Sequence, residues 1–269
     1  MDPDREALIG QPPDIPLQKE RCVLQVIYSA STDAHNMTVY DTDELYGERG
    51  RFRVLEFADG AVQGAMDLND PARILLEYPR AIIHLLEANN PAFQDAFLIG
   101  HGIGTIAGRF ADRRFKTAEL DESVAALSRR YFGCSQELIC IGDGRELLAT
   151  EPDERYDYVI VDAFTDRGVP RQLCSQSFFR LAAAKLGGSG AIIMNLFGRG
   201  KHDPLACAIH ATLGTVFDCT RAFALPGHGA ADMQNMILIG SSRTIAYQAR
   251  RMAGFAEVDL QPGYVVHDE

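Results

Sequence analysis

The sequence predicts an α/β protein whose mostly parallel sheet has helices on both faces, preceded by a small N-terminal antiparallel β domain. Two observations lead to this prediction. From residue 96 onward, short apolar runs typical of strands alternate with helical segments, which is the pattern of a parallel sheet. Before residue 70, strand-like segments instead follow one another, and Asp59-Gly60 marks a hairpin turn. We expect a mobile leader at 1–20, the β domain at 21–70 and the α/β domain at 71–269.

The first 90 residues are predicted to form strands and then a helix. Asp70 as the capping residue and Pro71 at the first helical position indicate where that helix begins. Pro79 interrupts the pattern, an apolar helical face resumes at 81–87, and Asn90-Pro91 ends it. The strands are expected at 22–28, 37–40, 51–57 and 61–66.

The remaining elements follow from the change between strand-like and helical periodicity. Strands are expected at 96–99, 116–120, 137–141, 158–162, 191–196, 221–225 and 236–240. Helices are expected at 104–112, 122–131, 145–150, 175–186, 205–216 and 244–252.

A glycine-rich turn follows the first strand of the alternating region. Gly100, Gly102 and Gly104 lead into a helix, and Glu119 ends the next strand, which is the layout of a nucleotide-binding βαβ unit. Glycines let a ligand approach the backbone, and a carboxylate about 20 residues on can accept ribose hydroxyl hydrogens. The glycines could equally serve only to pack the helix onto the sheet, so the turn alone leaves both interpretations open.

Three acidic residues stand at the ends of three successive predicted strands. Glu119 ends the second, Asp143 follows the third between two glycines, and Asp162 ends the fourth. Ligands of open α/β sheets bind outside the carboxyl ends of the strands, so these acids are expected to converge on one crevice. A single aspartate there often only caps the next helix, but three in register favour a ligand site. Asp162 faces the open crevice, where a carboxylate can orient an amine and accept its proton.

Composition excludes several classes of function. The 269-residue chain has a formal net charge of −11, which argues against a nucleic-acid backbone as partner. It contains no apolar run long enough to cross a bilayer, so we expect no membrane partner. Its six cysteines are scattered and its histidines lack ligand-spaced companions, so we expect a cytoplasmic protein without a metal site.

These features occur together in one known family. The chain resembles the spermidine synthase family of aminopropyltransferases in several features. These are the order of elements, a hairpin ending in Val62-Gln63, a helix carrying Tyr78, the glycine loop, the three strand-end acids and a segment from Asp162 to Pro170. That family is a branch of the class I methyltransferase-like Rossmann proteins. The segment at 162–170 resembles the family's catalytic loop.

The resemblance implies a transferase of polyamine biosynthesis that moves an aminopropyl group from decarboxylated S-adenosylmethionine, or uses S-adenosylmethionine itself, with a small amine or polyamine as acceptor. Asp162 would be the general base and a donor contact, Asp166 a second acid, and Tyr78 part of the catalytic site. The family also suggests a homodimer. The donor would be bound by Gln63, Gly100, His101, Gly102, Gly104, Glu119, Leu120, Asp143 and Gly144, with Glu119 on the ribose and Asp143 at the adenine.

Some positions differ from the family pattern and keep other functions open. Ile103 stands where the family has an aspartate that holds the aminopropyl amine, which motivates methyl transfer from S-adenosylmethionine as an alternative. Tyr78-Pro79-Arg80 replaces the usual polar and acidic tripeptide. A non-catalytic nucleoside-binding homologue is a third possibility. His101 could contact the ligand or only bond within its loop, and Asn195 could meet substrate or cap a turn.

Overall fold

Two β-sheets carry the fold of the protein in the computed structural model, which describes residues 23–31, 36–57, 60, 62–164, 168–227 and 232–268. The predicted leader at 1–20 lies outside the described residues. Asp59 of the predicted hairpin turn and Asp166 of the predicted catalytic loop lie outside them as well.

The N-terminal sheet has four strands in sequential order, β1 (Val23–Ser31), β2 (Asn36–Leu45), β3 (Glu48–Phe57) and β4 (Val62–Asp67). Each strand pairs antiparallel with the next. Gly60, between β3 and β4, has a φ of 78° and donates its amide hydrogen to the Phe57 carbonyl. The predicted small antiparallel sheet is therefore confirmed.

The second sheet has eight strands and is flanked by helices. The strands are β5 (Asp95–Ile99), β6 (Arg114–Glu119), β7 (Ile139–Ile141), β8 (Tyr156–Val161), β9 (Leu186–Gly198), β10 (Cys219–Ala224), β11 (Gln234–Ser241) and β12 (Ala256–Glu257). The helices are α1 (Glu77–Asn89), α2 (Thr105–Gly108), α3 (Glu122–Phe132), α4 (Gly144–Ala149), α5 (Gln176–Lys185) and α6 (Pro204–Leu213). Single 3₁₀ turns occur at Arg171–Leu173, Gly200–His202 and Ala249–Arg251.

The strand order of this sheet is β12-β10-β11-β9-β8-β5-β6-β7. The five strands from β7 to β9 pair in parallel, whereas β11 runs antiparallel to β9 and to β10. The fold prediction is confirmed. The order of strands reverses between β5 and β8, and the carboxyl ends of all the parallel strands meet at one edge, where a ligand crevice is expected.

The core forms two layers because successive side chains of a strand point to opposite faces. In β5, Phe97 and Ile99 belong to the cluster under α4, α5 and α6. Ala96 and Leu98 belong to the cluster under α1 and α2. Burial on both faces explains why the parallel strands read as nearly continuous apolar runs.

A third cluster joins the two sheets. Met37 and Leu55 of the N-terminal sheet pack with Val124 and Leu127 of α3, and all four are buried. The N-terminal sheet is thereby held against the helix that follows Glu119.

The predicted helix start at Asp70 is wrong. Asp70 forms a turn in which its carboxylate accepts from Ala72 N at 3.3 Å and its carbonyl accepts from Arg73 N at 3.0 Å. The chain then passes antiparallel beside β4 through a bridge between Met66 and Ile74. Helix α1 begins only at Glu77, and Pro79 lies in its first turn, where a missing N–H loses no bond.

Helix α2 is shorter than predicted, ending at Gly108 instead of continuing to residue 112. Glycine is a poor helix former, and after it the amide of Phe110 bonds to the Ala107 carbonyl, three residues back. Phe110 packs edge-on against Phe93, with ring centroids 5.1 Å apart. This anchoring of Phe110 accompanies the change from helix to tight turns.

The helix predicted at 244–252 is also wrong, because side chains of α1 take the backbone groups that a helix would use. The Asn89 side chain accepts from Ala246 N at 2.8 Å and donates to the Ala246 carbonyl at 3.0 Å. His84 Nε2 accepts from Gln248 N at 2.9 Å. One 3₁₀ turn is what forms in this segment.

The contact between Gly100 and the backbone of Asp162 supplies a stability prediction. Gly100 has a φ of 94°, and a Cβ there would collide with the backbone carbonyl of Asp162. We expect Gly100→Ala to lower the free energy of unfolding by at least about 2 kcal/mol, measured by urea denaturation. Gly133 also has a positive φ, of 67°, but open space around it. Gly133→Ala is the control, with a loss of about 1 kcal/mol. Equal losses in the two variants would contradict the contact argument.

Candidate active site

A small pocket opens where the sheet order reverses, between the carboxyl ends of β5 and β8. It lies at the edge predicted for the ligand crevice. Its walls bring together five of the predicted site residues, Gln63, Tyr78, His101, Gly102 and Asp162, with Leu98, Ile103, Thr105 and Ile106.

The glycine loop is shaped by backbone contacts on three sides. Gly100 N donates to the Ala118 carbonyl of β6 at 2.9 Å, and Asp162 N donates to the Ile99 carbonyl of β5 at 2.8 Å. A Cβ on Gly102 would lie 3.3 Å from the Gln63 carbonyl, so β4 of the N-terminal sheet borders the loop. These glycines therefore let three chain segments meet around the pocket.

Asp162 is the acidic group of this pocket, and its carboxylate is partly buried. Burial raises the pKa of Asp162 to about 6, although hydrogen bonds from Asn195 and Tyr78 oppose that rise. Asn195 Nδ2 donates to Asp162 Oδ1 at 2.9 Å. Burial and the charge of Asp162 raise the pKa of Tyr78 well above its ordinary value, so its hydroxyl is the donor. The carboxylate is thus held in place by two neutral donors and remains ionised at neutral pH.

A second amide extends this arrangement beyond the residues that the sequence had singled out. Asn235 of β11 donates from Nδ2 to Asn195 Oδ1 at 3.1 Å. The sequence left the role of Asn195 open, and the structure places its amide on Asp162. Asn235 was missed, because its position beside Asn195 depends on the antiparallel pairing of β9 with β11.

Glu119 stands at the end of β6, and both of its carboxylate oxygens accept backbone hydrogen bonds. Oε2 accepts from His101 N and Oε1 from Asp121 N, each at 2.9 Å. Burial raises the pKa of Glu119, while these amides act in the opposite direction. A carboxylate has about four acceptor sites, so Glu119 can still accept a hydroxyl in addition to its backbone bonds, which include one from Leu120. Glu119 therefore couples the glycine loop to the strand end where a ribose is expected.

The His101 ring is bonded to side chains of the following segment and not to the backbone of its own loop. Its Nε2 lies 2.8 Å from Ser128 Oγ and 3.7 Å from Cys134 Sγ. Ser128 donates its hydroxyl hydrogen to the Ala125 carbonyl, which assigns the proton to His101 Nε2. Burial, followed by the charge of Arg129, lowers the pKa of His101 to about 4. The ring is a neutral anchor of the loop on α3, and its contact with a ligand stays a prediction.

Asp143 caps α4, as a lone strand-end aspartate commonly does. Its Oδ1 accepts from Arg145 N at 2.8 Å and from Glu146 N at 3.0 Å. Gly144 is buried beside Ile99, where a Cβ would collide with the isoleucine side chain. The expected contact of Asp143 with adenine stays a prediction.

Two apolar side chains are exposed at the same edge of the sheet. Leu120, directly after β6, is 72% exposed, and Ile141, at the end of β7, is 47% exposed. Glu119 pairs with Ile141 in the ladder, so the carboxylate and the two apolar side chains share one edge. An apolar ring can pack against Leu120 and Ile141 here, next to the Glu119 carboxylate, which can accept hydroxyl hydrogens.

The described part of the chain contains neither a cluster of metal-ligating side chains nor a membrane-spanning helix. Among those residues, no group of three His, Cys, Asp or Glu side chains is arranged to hold a metal ion. Within the same ranges, no helix combines the length and apolar character needed to span a membrane. Asp166, the predicted second acid, is not among the described residues.

Comparison with known proteins gives consistent results. The chain is 29% identical over 236 residues to the polyamine aminopropyltransferase of Thermococcus onnurineus (strain NA1), a match that covers 83% of this chain and 77% of that protein. The structure is similar to that of a probable spermidine synthase from Corynebacterium glutamicum, with a TM-score of 0.76, 20% identity and coverage of 90% and 96% of the two chains.

A more distant similarity concerns the fold alone. The structure of human methyltransferase-like protein 13 in complex with SAH gives a TM-score of 0.52 at 21% identity, covering 66% of this chain and 87% of that chain. The central sheet thus has the class I methyltransferase type of architecture.

The model of the spermine/spermidine synthase domain matches residues 75–228, which include the glycine loop, all three strand-end acids and Asn195. The chain belongs to the spermine/spermidine synthase family.

Proposed function

We propose that this protein is an aminopropyltransferase that uses decarboxylated S-adenosylmethionine to alkylate an amine, with Asp162 as general base. One observation carries the proposal: an ionisable carboxylate lies in the pocket beside the glycine loop, with its pKa raised to about 6 and its position held by Asn195 and Tyr78. Such a group is ionised at neutral pH yet basic enough to take a proton.

The residues at the sheet edge fit the nucleoside part of such a donor. Glu119 retains acceptor capacity for a ribose hydroxyl beside its backbone bonds. Leu120 and Ile141 offer exposed apolar surface for a base beside it. Gly100 lets the glycine loop lie directly against the Asp162 backbone, which brings the donor loop next to the base.

The chain's contribution to the reaction is to position and deprotonate the amine. The sulfonium donor supplies an electrophilic carbon whose bond to sulfur breaks as the amine attacks, leaving neutral 5′-methylthioadenosine. Asp162 accepts a hydrogen bond from the protonated amine and takes one proton, so that the nitrogen lone pair can form the new N–C bond. Tyr78 and Asn195 donate to the same carboxylate and hold it in the pocket.

Methyl transfer is the second candidate, and the residue at position 103 favours it. Ile103 lines the pocket and packs against β4, since a Cβ on Gly64 would lie 2.7 Å from its side chain. An apolar group at this place gives no charged partner to an aminopropyl ammonium. The product of the reaction distinguishes the two functions.

The first experiment identifies that product. Incubation with decarboxylated S-adenosylmethionine and a panel of amines is expected to release 5′-methylthioadenosine, measured by chromatography. Release of S-adenosylhomocysteine from S-adenosylmethionine would instead establish methyl transfer. Asp162→Asn, which keeps the size of the side chain, is expected to lower the rate at least about 100-fold. Release of neither product with any amine would contradict both enzymatic proposals.

The pH dependence of the rate tests the base. A general base with a pKa of about 6 must be deprotonated, so kcat/KM is expected to fall about tenfold per pH unit below pH 6. The Asn195 amide lowers the pKa of Asp162, so Asn195→Ala is expected to move this acidic limb to higher pH. An acidic limb that stays in place in Asn195→Ala would contradict the assignment of Asp162 to it.

Binding of the nucleoside product tests Glu119 separately from catalysis. Glu119→Gln leaves one oxygen acceptor where backbone amides now bond to both carboxylate oxygens, so both the loop contact and the hydroxyl acceptor are weakened. We expect the Kd of 5′-methylthioadenosine, measured by calorimetry, to rise about tenfold or more. Glu137 is exposed on the approach to β7, and Glu137→Gln is the matched control, with an unchanged Kd. Equal affinities in the two variants would remove Glu119 from the donor site.

A further inference from the structure

A second, more open cleft lies at the end of β9, next to the candidate active site. Its volume is about 420 Å³, and it is lined by Arg199, Lys201, His202, Asp203 and Pro204. The 3₁₀ turn Gly200–His202 forms its floor between β9 and α6. No residue of this cleft takes part in the proposed donor site or base.

The side chains that line this cleft carry a net positive charge, because two cationic residues face one acidic residue. Arg199 and Lys201 have exposed side chains, and neither forms an ion pair within the described part of the chain. Asp203 is the acid of the cleft, but it is buried and both of its oxygens are occupied. Oδ2 accepts from Arg199 N at 3.0 Å, and Oδ1 accepts from Ala206 N at 2.9 Å. Two cationic side chains therefore face a cavity in a protein whose formal net charge is −11.

Strand β9 connects the cleft to the base. Asn195 bonds to Asp162, and two residues later Phe197 lies against Phe164, with ring centroids 5.0 Å apart and the Phe197 side chain 42% exposed. Arg199 follows after two further residues. At about 3.3 Å per residue, the backbone of Arg199 is at most about 13 Å from that of Asn195. The path from Asp162 outward thus passes a polar amide, an aromatic pair and then the cations.

We propose that the acceptor carries an amine at one end and an anionic group, a carboxylate or a phosphate, at the other, and that Arg199 and Lys201 bind the anionic end. This inference rests on the proposed function and specifies its acceptor. The chemistry at the amine is unchanged: its nitrogen forms the new bond to carbon, the bond to sulfur breaks, and Asp162 receives the proton.

Charge decides between this acceptor and a simple diamine. An anionic group in the cleft forms charge-assisted hydrogen bonds with the guanidinium of Arg199 and the ammonium of Lys201. The distal ammonium of a diamine would instead meet two cations of the same sign. Selectivity of this kind comes both from the attraction of one acceptor and from the repulsion of the other.

Matched acceptors test the proposal. 6-Aminohexanoate, 5-aminopentyl phosphate and 1,6-diaminohexane present a similar chain that ends in a carboxylate, a phosphate or an ammonium. We expect the wild-type kcat/KM for at least one anionic acceptor to exceed that for the diamine at least tenfold, and the preferred anion identifies the acceptor class. In the double variant Arg199→Ala with Lys201→Ala, the ratio of the two kcat/KM values is expected to fall at least tenfold, mainly through KM.

A double variant that removes the same charge elsewhere is the control. Arg243 and Arg250 are exposed and form no ion pair within the described residues. Arg243→Ala with Arg250→Ala is expected to leave the ratio unchanged, and thermal unfolding shows whether each variant is folded. A wild-type preference for the diamine would overturn the proposal, as would a ratio that is unaffected by loss of Arg199 and Lys201.

Failure of the proposed function is distinguished by a binding measurement. If the wild-type protein alkylates none of the three amines, 6-aminohexanoate and 5-aminopentyl phosphate are titrated by calorimetry in the presence of 5′-methylthioadenosine. A Kd that rises at least tenfold in the Arg199 and Lys201 variant supports the anionic subsite without reference to turnover. No binding of either compound, or equal binding in both proteins, overturns it.

Discussion

The close contact between the backbones that leave β5 and β8 is the constraint on which the site depends. Gly100 lies so near the carbonyl of Asp162 that no side chain fits between them. Because the contact is made by main-chain atoms, the distance between the glycine loop and the Asp162 backbone does not depend on rotamers, and Asn195 and Tyr78 then hold the carboxylate itself.

The donors around Asp162 come from a helix and from both the parallel and the antiparallel part of the sheet. Tyr78 comes from the start of α1, Asn195 from the parallel strand β9, and Asn235 from the antiparallel strand β11. Burial alone would favour the protonated carboxyl, and the two direct donors oppose that effect. The base is therefore tuned by residues that are far apart in sequence and that meet only through the strand order.

Sequence reasoning located the strands and the acids at their ends, because buried parallel strands are long apolar runs and a strand-end carboxylate is visible in the sequence. It failed for the helix expected at 244–252, where Asn89 and His84 bind the backbone of a segment more than 150 positions away. No local pattern reports such competition. Asn235 was missed for a similar reason, since its significance depends on the pairing of β9 with β11. The basic residues after β9 are visible in the sequence, but only the structure shows that Asp203 bonds to backbone amides and forms no ion pair with them.

The hydrogen bond between the side-chain amides of Asn195 and Asn235 fixes which way the Asn195 amide points. Because Asn195 presents its NH₂ group to Asp162, its oxygen must face β11, where Asn235 donates to it. A change at Asn235 would loosen this orientation without touching any wall of the pocket. The antiparallel part of the sheet is thus a place where natural variation could adjust the strength of the base among family members while the substrate contacts stay the same.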